Sequence, residues 1–91
     1  MNLRYSIASF SFYKNGKIHE EQEEIYDASC SFDSLKRKYE NRHRVPISLS
    51  VSHHVREIDR VEHKYFGRII HFTDGTPPLF FSYMSNIKIY E

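Results

Sequence analysis

The sequence contains one cysteine, no tryptophan and only three glycines among its 91 residues. The single cysteine, Cys30, excludes an intramolecular disulfide and a zinc site built from several cysteines. We expect it to be a small buried apolar side chain rather than a nucleophile. The glycines Gly16, Gly67 and Gly75 are too scattered for a phosphate-binding loop, and no Gly-x-Ser-x-Gly turn is present. The sequence therefore predicts neither a cofactor nor enzymatic activity.

Long hydrophobic runs are also absent. A membrane-spanning helix needs roughly 18 consecutive apolar residues, and no segment of the chain approaches that length. Arg4 and several serines interrupt the apolar positions of the first segment, which therefore lacks the apolar core of a signal peptide. We expect a soluble, cytoplasmic protein with no membrane partner.

Aromatic residues, by contrast, are abundant, with seven tyrosines and seven phenylalanines. Each buries a large area, which helps a short chain build a core without disulfides, and aromatic residues favour strands. The chain length fits one domain, residues 1–91, because two domains of half that size would each be near the length at which cores fail.

The first segment, residues 3–13, alternates like a strand, but in two opposite phases. Its apolar positions are Leu3, Tyr5 and Ile7, followed by Ala8, Phe10 and Phe12. The change of phase near Ser9 predicts either a β-bulge or a strand whose two ends are buried on different faces.

Asn15-Gly16 predicts a two-residue β-hairpin, because a type I′ turn needs positive φ at both central positions. This hairpin would place Phe10 opposite Glu21. The second arm includes residues 19–24, HEEQEE, which favour an exposed or edge strand, with a helix as the alternative. Charges on an edge strand discourage unwanted sheet pairing.

Residues 31–44 are the clearest helical segment. Ser31 is a good N-cap, because its hydroxyl can accept a hydrogen bond from a free backbone N–H of the first turn, and Asp33 is the alternative cap. Pro46 disfavours helical backbone at the preceding residue and ends the helix. The apolar stripe, which must pack on the sheet, consists of Phe32, Leu35 and Tyr39.

Alternation after the helix predicts strands at 47–55, 61–73, 79–84 and 87–90, with residues 56–60 as a turn or loop. Gly67, inside one of these strands, indicates a bulge or a close approach of another group. The predicted fold is α+β: a mainly antiparallel sheet of five or six strands, order β-β-α-β-β-β, with one short helix packed on one face. A strongly bent, barrel-like sheet is the alternative.

Acidic residues concentrate just before the helix. We predict that they form a surface for a basic protein partner, as in small inhibitors that block a basic groove. The predicted partner-binding acids are Glu20, Glu21, Glu23, Glu24 and Asp27. The plainer interpretation is a solvated charged strand.

Basic residues concentrate in the helix and the segment after it, residues 36–68. The alternative function is therefore nucleic-acid binding, in which lysines and arginines neutralise phosphates. The residues that would do so are Lys36, Arg37, Lys38, Arg42, Arg44 and Arg68.

Six histidines allow a third, less favoured hypothesis, a histidine-centred hydrolase or metal protein. No metal-binding motif is present, so no metal site is predicted, and His53, His63 and His71 would have to meet across strands. An acid–base pair of His63 with Glu62 or Glu57 is equally unspecific.

The predicted function is thus a small non-enzymatic binding protein of the inhibitor or regulator type. Its partner would be a protein that contacts either the acidic segment or an aromatic patch formed by residues 80–84. The same aromatic residues could alternatively bind a second copy of this chain and form a homodimer.

Overall fold

Six strands and one helix make up the fold, and the helix separates the first two strands from the last four. The computed structural model describes residues 1–91. The elements are β1 (Asn2–Lys14), β2 (Lys17–Ile25), α1 (Phe32–His43), β3 (Ser48–Lys64), β4 (Gly67–Phe72), β5 (Leu79–Ser82) and β6 (Ile89–Tyr90).

All strand pairs are antiparallel, and the order across the sheet is β2-β1-β3-β4-β5. The short β6 pairs with the first residues of β1. The predicted α+β fold, with five or six antiparallel strands and one short helix, is confirmed.

The apolar residues of the two halves of β1 are buried on opposite faces of the sheet. β1 pairs with β3 from Asn2 to Ser11 without any shift of register, so no bulge separates Leu3 from Ala8. Because successive side chains of a strand alternate between faces, these two residues point to opposite sides. The strand is therefore buried on different faces at its two ends.

Two separate cores follow from this arrangement. The first core lies between the sheet and α1 and contains Ala8, Phe10, Phe12, Leu35, Tyr39 and Ile47. Phe10 stacks on Tyr39 with a ring-centroid distance of 4.1 Å. The second core contains Leu3, Ile58, Ile70 and Phe72, with partly buried residues of β5 and the C-terminal segment around them.

The β1–β2 hairpin has the predicted turn and register. Asn15 and Gly16 have φ values of 53° and 76°, the positive values of a type I′ turn. Phe10 lies opposite Glu21, as the two-residue loop requires.

The helix begins and ends where local sequence signals place it. The Ser31 side chain accepts from the Ser34 backbone N–H, and the Ser34 hydroxyl in turn accepts from the Ser31 N–H. Arg44, just before Val45-Pro46, takes the left-handed conformation and closes the helix. Of the predicted stripe, Leu35 and Tyr39 are buried, whereas Phe32 is about half exposed.

The predicted loop at residues 56–60 is wrong, because β3 runs through it as one strand. Ile58 in this charged segment is buried in the second core, and the Arg56 guanidinium lies over the Phe72 ring at 3.6 Å. The only irregularity is a register shift between Ile58 and Arg60. The chain instead turns at Tyr65-Phe66, inside the segment 61–73 that was expected to be one strand.

We predict that the two cores unfold together, because β1 and β3 run through both of them. Leu3→Ala in the second core and Phe10→Ala in the first should each lower the free energy of unfolding by about 2–5 kcal/mol. Each variant should keep a single transition in urea, followed by circular dichroism. Val55→Ala, at an exposed position of β3, is the matched control and should cost less than about 1 kcal/mol. Two separate transitions would contradict the prediction.

We also predict that Gly67→Ala destabilises the β3–β4 hairpin. A Cβ at this position would lie 2.6 Å from the Phe81 carbonyl oxygen and 2.7 Å from Cε2 of Phe80. The expected loss is about 1–3 kcal/mol. Gly75→Ala is the control for backbone strain, because Gly75 also has a positive φ, of 78°, but an added Cβ there would meet nothing, so this variant should cost less. Equal losses in thermal unfolding would show that the close approach does not matter.

Candidate binding surfaces

The strand β2 forms one edge of the sheet. It pairs with β1 only, and none of the backbone hydrogen bonds outside the regular elements involves its residues. The type I′ turn makes Lys14 and Lys17 the first hydrogen-bonded pair of the hairpin. Since antiparallel partners alternate between bonded and non-bonded pairs, every second residue of β2 directs its N–H and C=O outward. These residues are Ile18, Glu20, Gln22 and Glu24.

Two of the predicted acids face the helix side of the sheet, where each contacts a side chain of α1. Glu21, opposite Phe10, approaches His43 Nε2 at 3.2 Å. Glu23 lies 3.7 Å from the Arg42 guanidinium. Both contacts are partly exposed, so they contribute little to stability. The Arg42 guanidinium offsets part of the negative charge on this face.

The remaining two strand acids, Glu20 and Glu24, lie on the opposite, open face. The Glu24 carboxylate accepts a hydrogen bond from the Tyr26 hydroxyl at 2.7 Å. The Tyr26 hydroxyl oxygen in turn accepts a hydrogen bond from the Arg56 guanidinium at 2.7 Å. Burial, reinforced by Glu24, raises the pKa of Tyr26 to about 12. Glu20 is exposed and forms no ion pair.

The fifth predicted acid, Asp27, has a local structural role. Its carboxylate accepts from the Ser29 backbone N–H at 2.9 Å and from the Ser29 hydroxyl at 2.6 Å, and these bonds lower its pKa. The same loop holds Cys30, which is exposed, so the expectation of a buried cysteine is wrong. Partial burial of the sulfur and the Asp27 carboxylate raise the pKa of the Cys30 thiol, the opposite of an activated nucleophile.

A shallow depression of about 640 Å³ lies beside β2 on the open face. Its walls are small polar side chains of β1 and β3 together with acids of β2. The lining residues are Ser9, Phe10, Ser11, Glu20, Glu21, Gln22, Ser48, Leu49 and Ser50. Sequence reasoning missed this surface, although serines alternate with apolar residues in both strands.

The predicted basic set is divided by the fold. Lys36, Arg37 and Lys38 are exposed on α1, and Arg44 is exposed directly after it. Arg42 is held between Glu23 and the ring of Tyr39, 5.2 Å from the ring centroid. Arg68 lies on β4, with its guanidinium 5.8 Å from the ring centroid of Tyr83. The structure therefore does not bring all six residues onto one surface.

Other bases of the 36–68 region form contacts within the chain. Arg56 donates hydrogen bonds to the hydroxyls of Tyr26 and Thr76. Arg60 and Lys64 both lie near the Glu62 carboxylate, at 3.4 and 3.6 Å. These cations are less available to a ligand than the sequence indicates.

The closest histidine–carboxylate contact joins His71 to Glu62, at 2.5 Å, and not His63 to Glu62 or Glu57. This hydrogen bond is the main cause that lowers the pKa of Glu62, and Arg60 adds to it. His53 instead contacts the Ser6 hydroxyl at 3.0 Å. Nowhere does the structure gather three or more His, Cys, Asp or Glu side chains as metal ligands would be.

Exposed aromatic and apolar side chains occur close together in the sequence at two places, the β3–β4 turn and the segment around the end of β5. Tyr65 is 96% exposed, and Phe66 packs between Tyr65 and Phe80 with ring-centroid distances of 5.1 and 5.5 Å. Met84 is also exposed, whereas Phe81 packs against the second core. The patch expected at residues 80–84 therefore exists only in part, and Tyr65-Phe66 extends it.

The helix of this chain is too short and too polar to cross a membrane. Comparison of the chain with known protein families, with curated proteins and with solved structures gives no significant match.

Proposed function

We propose that the protein is a small non-enzymatic binding module of the inhibitory or regulatory type, which engages a basic surface of one protein partner through β2. The observation that supports this most is the position of β2 as a solvent-exposed edge strand whose outer side pairs with no other strand. That strand carries four glutamates and one lysine. A free edge and a concentrated charge of one sign occur in the same nine residues.

Charge of one sign on an exposed edge favours docking in two ways. It raises the rate of encounter with an oppositely charged surface, and it fixes the orientation of the complex. Glu20 and Glu24 retain most of this capacity, because neither forms an ion pair, although the Tyr26 hydroxyl links Glu24 to Arg56. Natural edge strands also use such charges to prevent aggregation, so the charge alone does not require a partner.

The nucleic-acid alternative has less support. Arg42 is committed to Glu23, and Arg68 lies on another strand, so only the cations of α1 remain exposed together. The acids of β2 would also repel a phosphate backbone that approached this side of the helix. A gel shift that weakens steeply with salt would nevertheless favour this alternative.

We predict that charge reversal on the open face of β2 removes partner binding. A photo-crosslinking amino acid at position 22 first identifies the partner in native lysate, and calorimetry then measures its affinity. Glu20→Lys combined with Glu24→Lys should weaken binding by about tenfold or more, because like charges then meet across the interface. The matched control, Glu57→Lys with Asp59→Lys, changes the net charge equally but at exposed positions of β3.

The control pair should bind with nearly the affinity of the unchanged protein. Equal loss in both double variants would indicate a net-charge effect and contradict a site on β2. Capture of a protein partner from position 65, with none captured from position 22, would move the site to the aromatic tip around Tyr65.

A further inference from the structure

We propose that β2 binds its partner by strand addition: an extended, basic segment of the partner protein pairs antiparallel with the outer edge of β2 and lengthens the sheet. This inference rests on the proposed function and specifies how the contact is made. In strand addition, main-chain hydrogen bonds supply affinity, and alternate side chains supply specificity.

The backbone of β2 is available for such pairing. Ile18, Glu20, Gln22 and Glu24 direct both backbone groups away from β1, and no other element pairs with them. The edge contains no proline and no bulge, two of the devices that usually block edges. The charged side chains are the only remaining device that protects this edge from unwanted strand pairing. They repel acidic segments and attract basic ones.

The opposite edge of the sheet is a poorer template. It is formed by β5, which has only four residues, Leu79–Ser82. The chain turns directly after it, and the exposed Phe80 side chain packs on Phe66. A long added strand therefore fits β2, which has nine residues.

The net negative charge of β2, with four glutamates and one lysine, disfavours a second copy of this chain as the added strand. In the register centred on Gln22, for example, Glu21 of each copy would face Glu23 of the other. Glu20 would likewise face Glu24. Like charges directly opposite each other destabilise strand pairing. A segment with lysine or arginine in these places would instead form opposite-charge pairs.

The two faces of β2 demand different side chains from that segment. On the helix side, His43 and Arg42 already contact Glu21 and Glu23. On the open face, Ile18, Glu20, Gln22 and Glu24 follow one another at alternate positions. Ile18 is 72% exposed and extends this row with an apolar end.

The partner segment should therefore present, at alternate positions, a basic, a polar, a basic and an apolar residue. In antiparallel order these would face Glu24, Gln22, Glu20 and Ile18. The two basic residues then stand four positions apart, on one side of the extended segment.

A synthetic peptide tests this recognition directly. The probe is Thr-Lys-Thr-Thr-Thr-Lys-Thr-Val-Thr, added to the folded full-length chain and followed by NMR of backbone amides. We expect shifts along β2, and an affinity lower by about tenfold when both lysines are replaced by glutamate. No shifts in β2 at the highest soluble peptide concentration would overturn the proposal.

Backbone pairing is tested with a proline. Gln22→Pro removes an outward N–H that bonds nothing in the free protein, and proline is tolerated at such edge positions. It should weaken peptide binding about tenfold, whereas Gln22→Thr, which keeps the N–H, should bind like the unchanged protein. Circular dichroism checks that Gln22→Pro keeps its strand content.

A second test needs no protein variant. N-methylation of the fourth residue of the peptide, the threonine midway between the two lysines, which would face Gln22, should weaken binding about as much as the proline. N-methylation of either neighbouring threonine, whose N–H points away from β2, should have little effect. Equal effects at both kinds of position would overturn strand addition.

The results also separate this inference from the proposed function. If charge reversal at Glu20 and Glu24 abolishes partner binding but Gln22→Pro does not, side-chain docking stands and strand addition is wrong. If neither change matters, both proposals fail. Crosslinks between two copies through position 22 would show that a second chain, not a basic partner, occupies the edge.

Discussion

The uninterrupted antiparallel pairing of β1 with β3 controls how the rest of the chain packs. Because side chains alternate between the two faces, Leu3 and Ala8 cannot be buried on the same side. The helix therefore covers one face at one end, and β4, β5 and the C-terminal residues cover the other face at the other end. A register slip of one residue would expose both apolar sets at once, so this pairing is strongly specified.

This arrangement also explains why β2 stays open. The helix lies over β1, where Tyr39 stacks on Phe10, and its C-terminal end contacts β2 through the side chains of Arg42 and His43. Lys14 anchors that end by donating from Nζ to the His43 carbonyl oxygen at 2.9 Å. The outer edge of β2 and its open face remain in solvent. A partner that supplies a strand there would complete hydrogen bonding that the chain alone leaves to water.

Local sequence signals were enough to predict the hairpin at Asn15-Gly16 and the start of the helix at Ser31, because both depend on neighbouring residues. The phase change in β1 allowed two interpretations, since only the register with β3 excludes a bulge. The turn at Tyr65-Phe66 was missed because aromatic residues favour strands. The acidic edge was predicted as a surface. The contacts of its glutamates with Arg42 and His43 of α1 were not predicted, because such contacts depend on three-dimensional proximity between distant segments.

The exchange of backbone amide hydrogens in β2, measured residue by residue by NMR, tests the central claim that this strand is a free edge. The account predicts alternation: the amides of His19, Glu21 and Glu23, which bond to β1, exchange slowly, and those of Glu20 and Gln22 exchange rapidly. Slow exchange at every position would show that the edge is already paired. Rapid exchange at every position would show that β2 is not a stable strand, and either result would contradict the account.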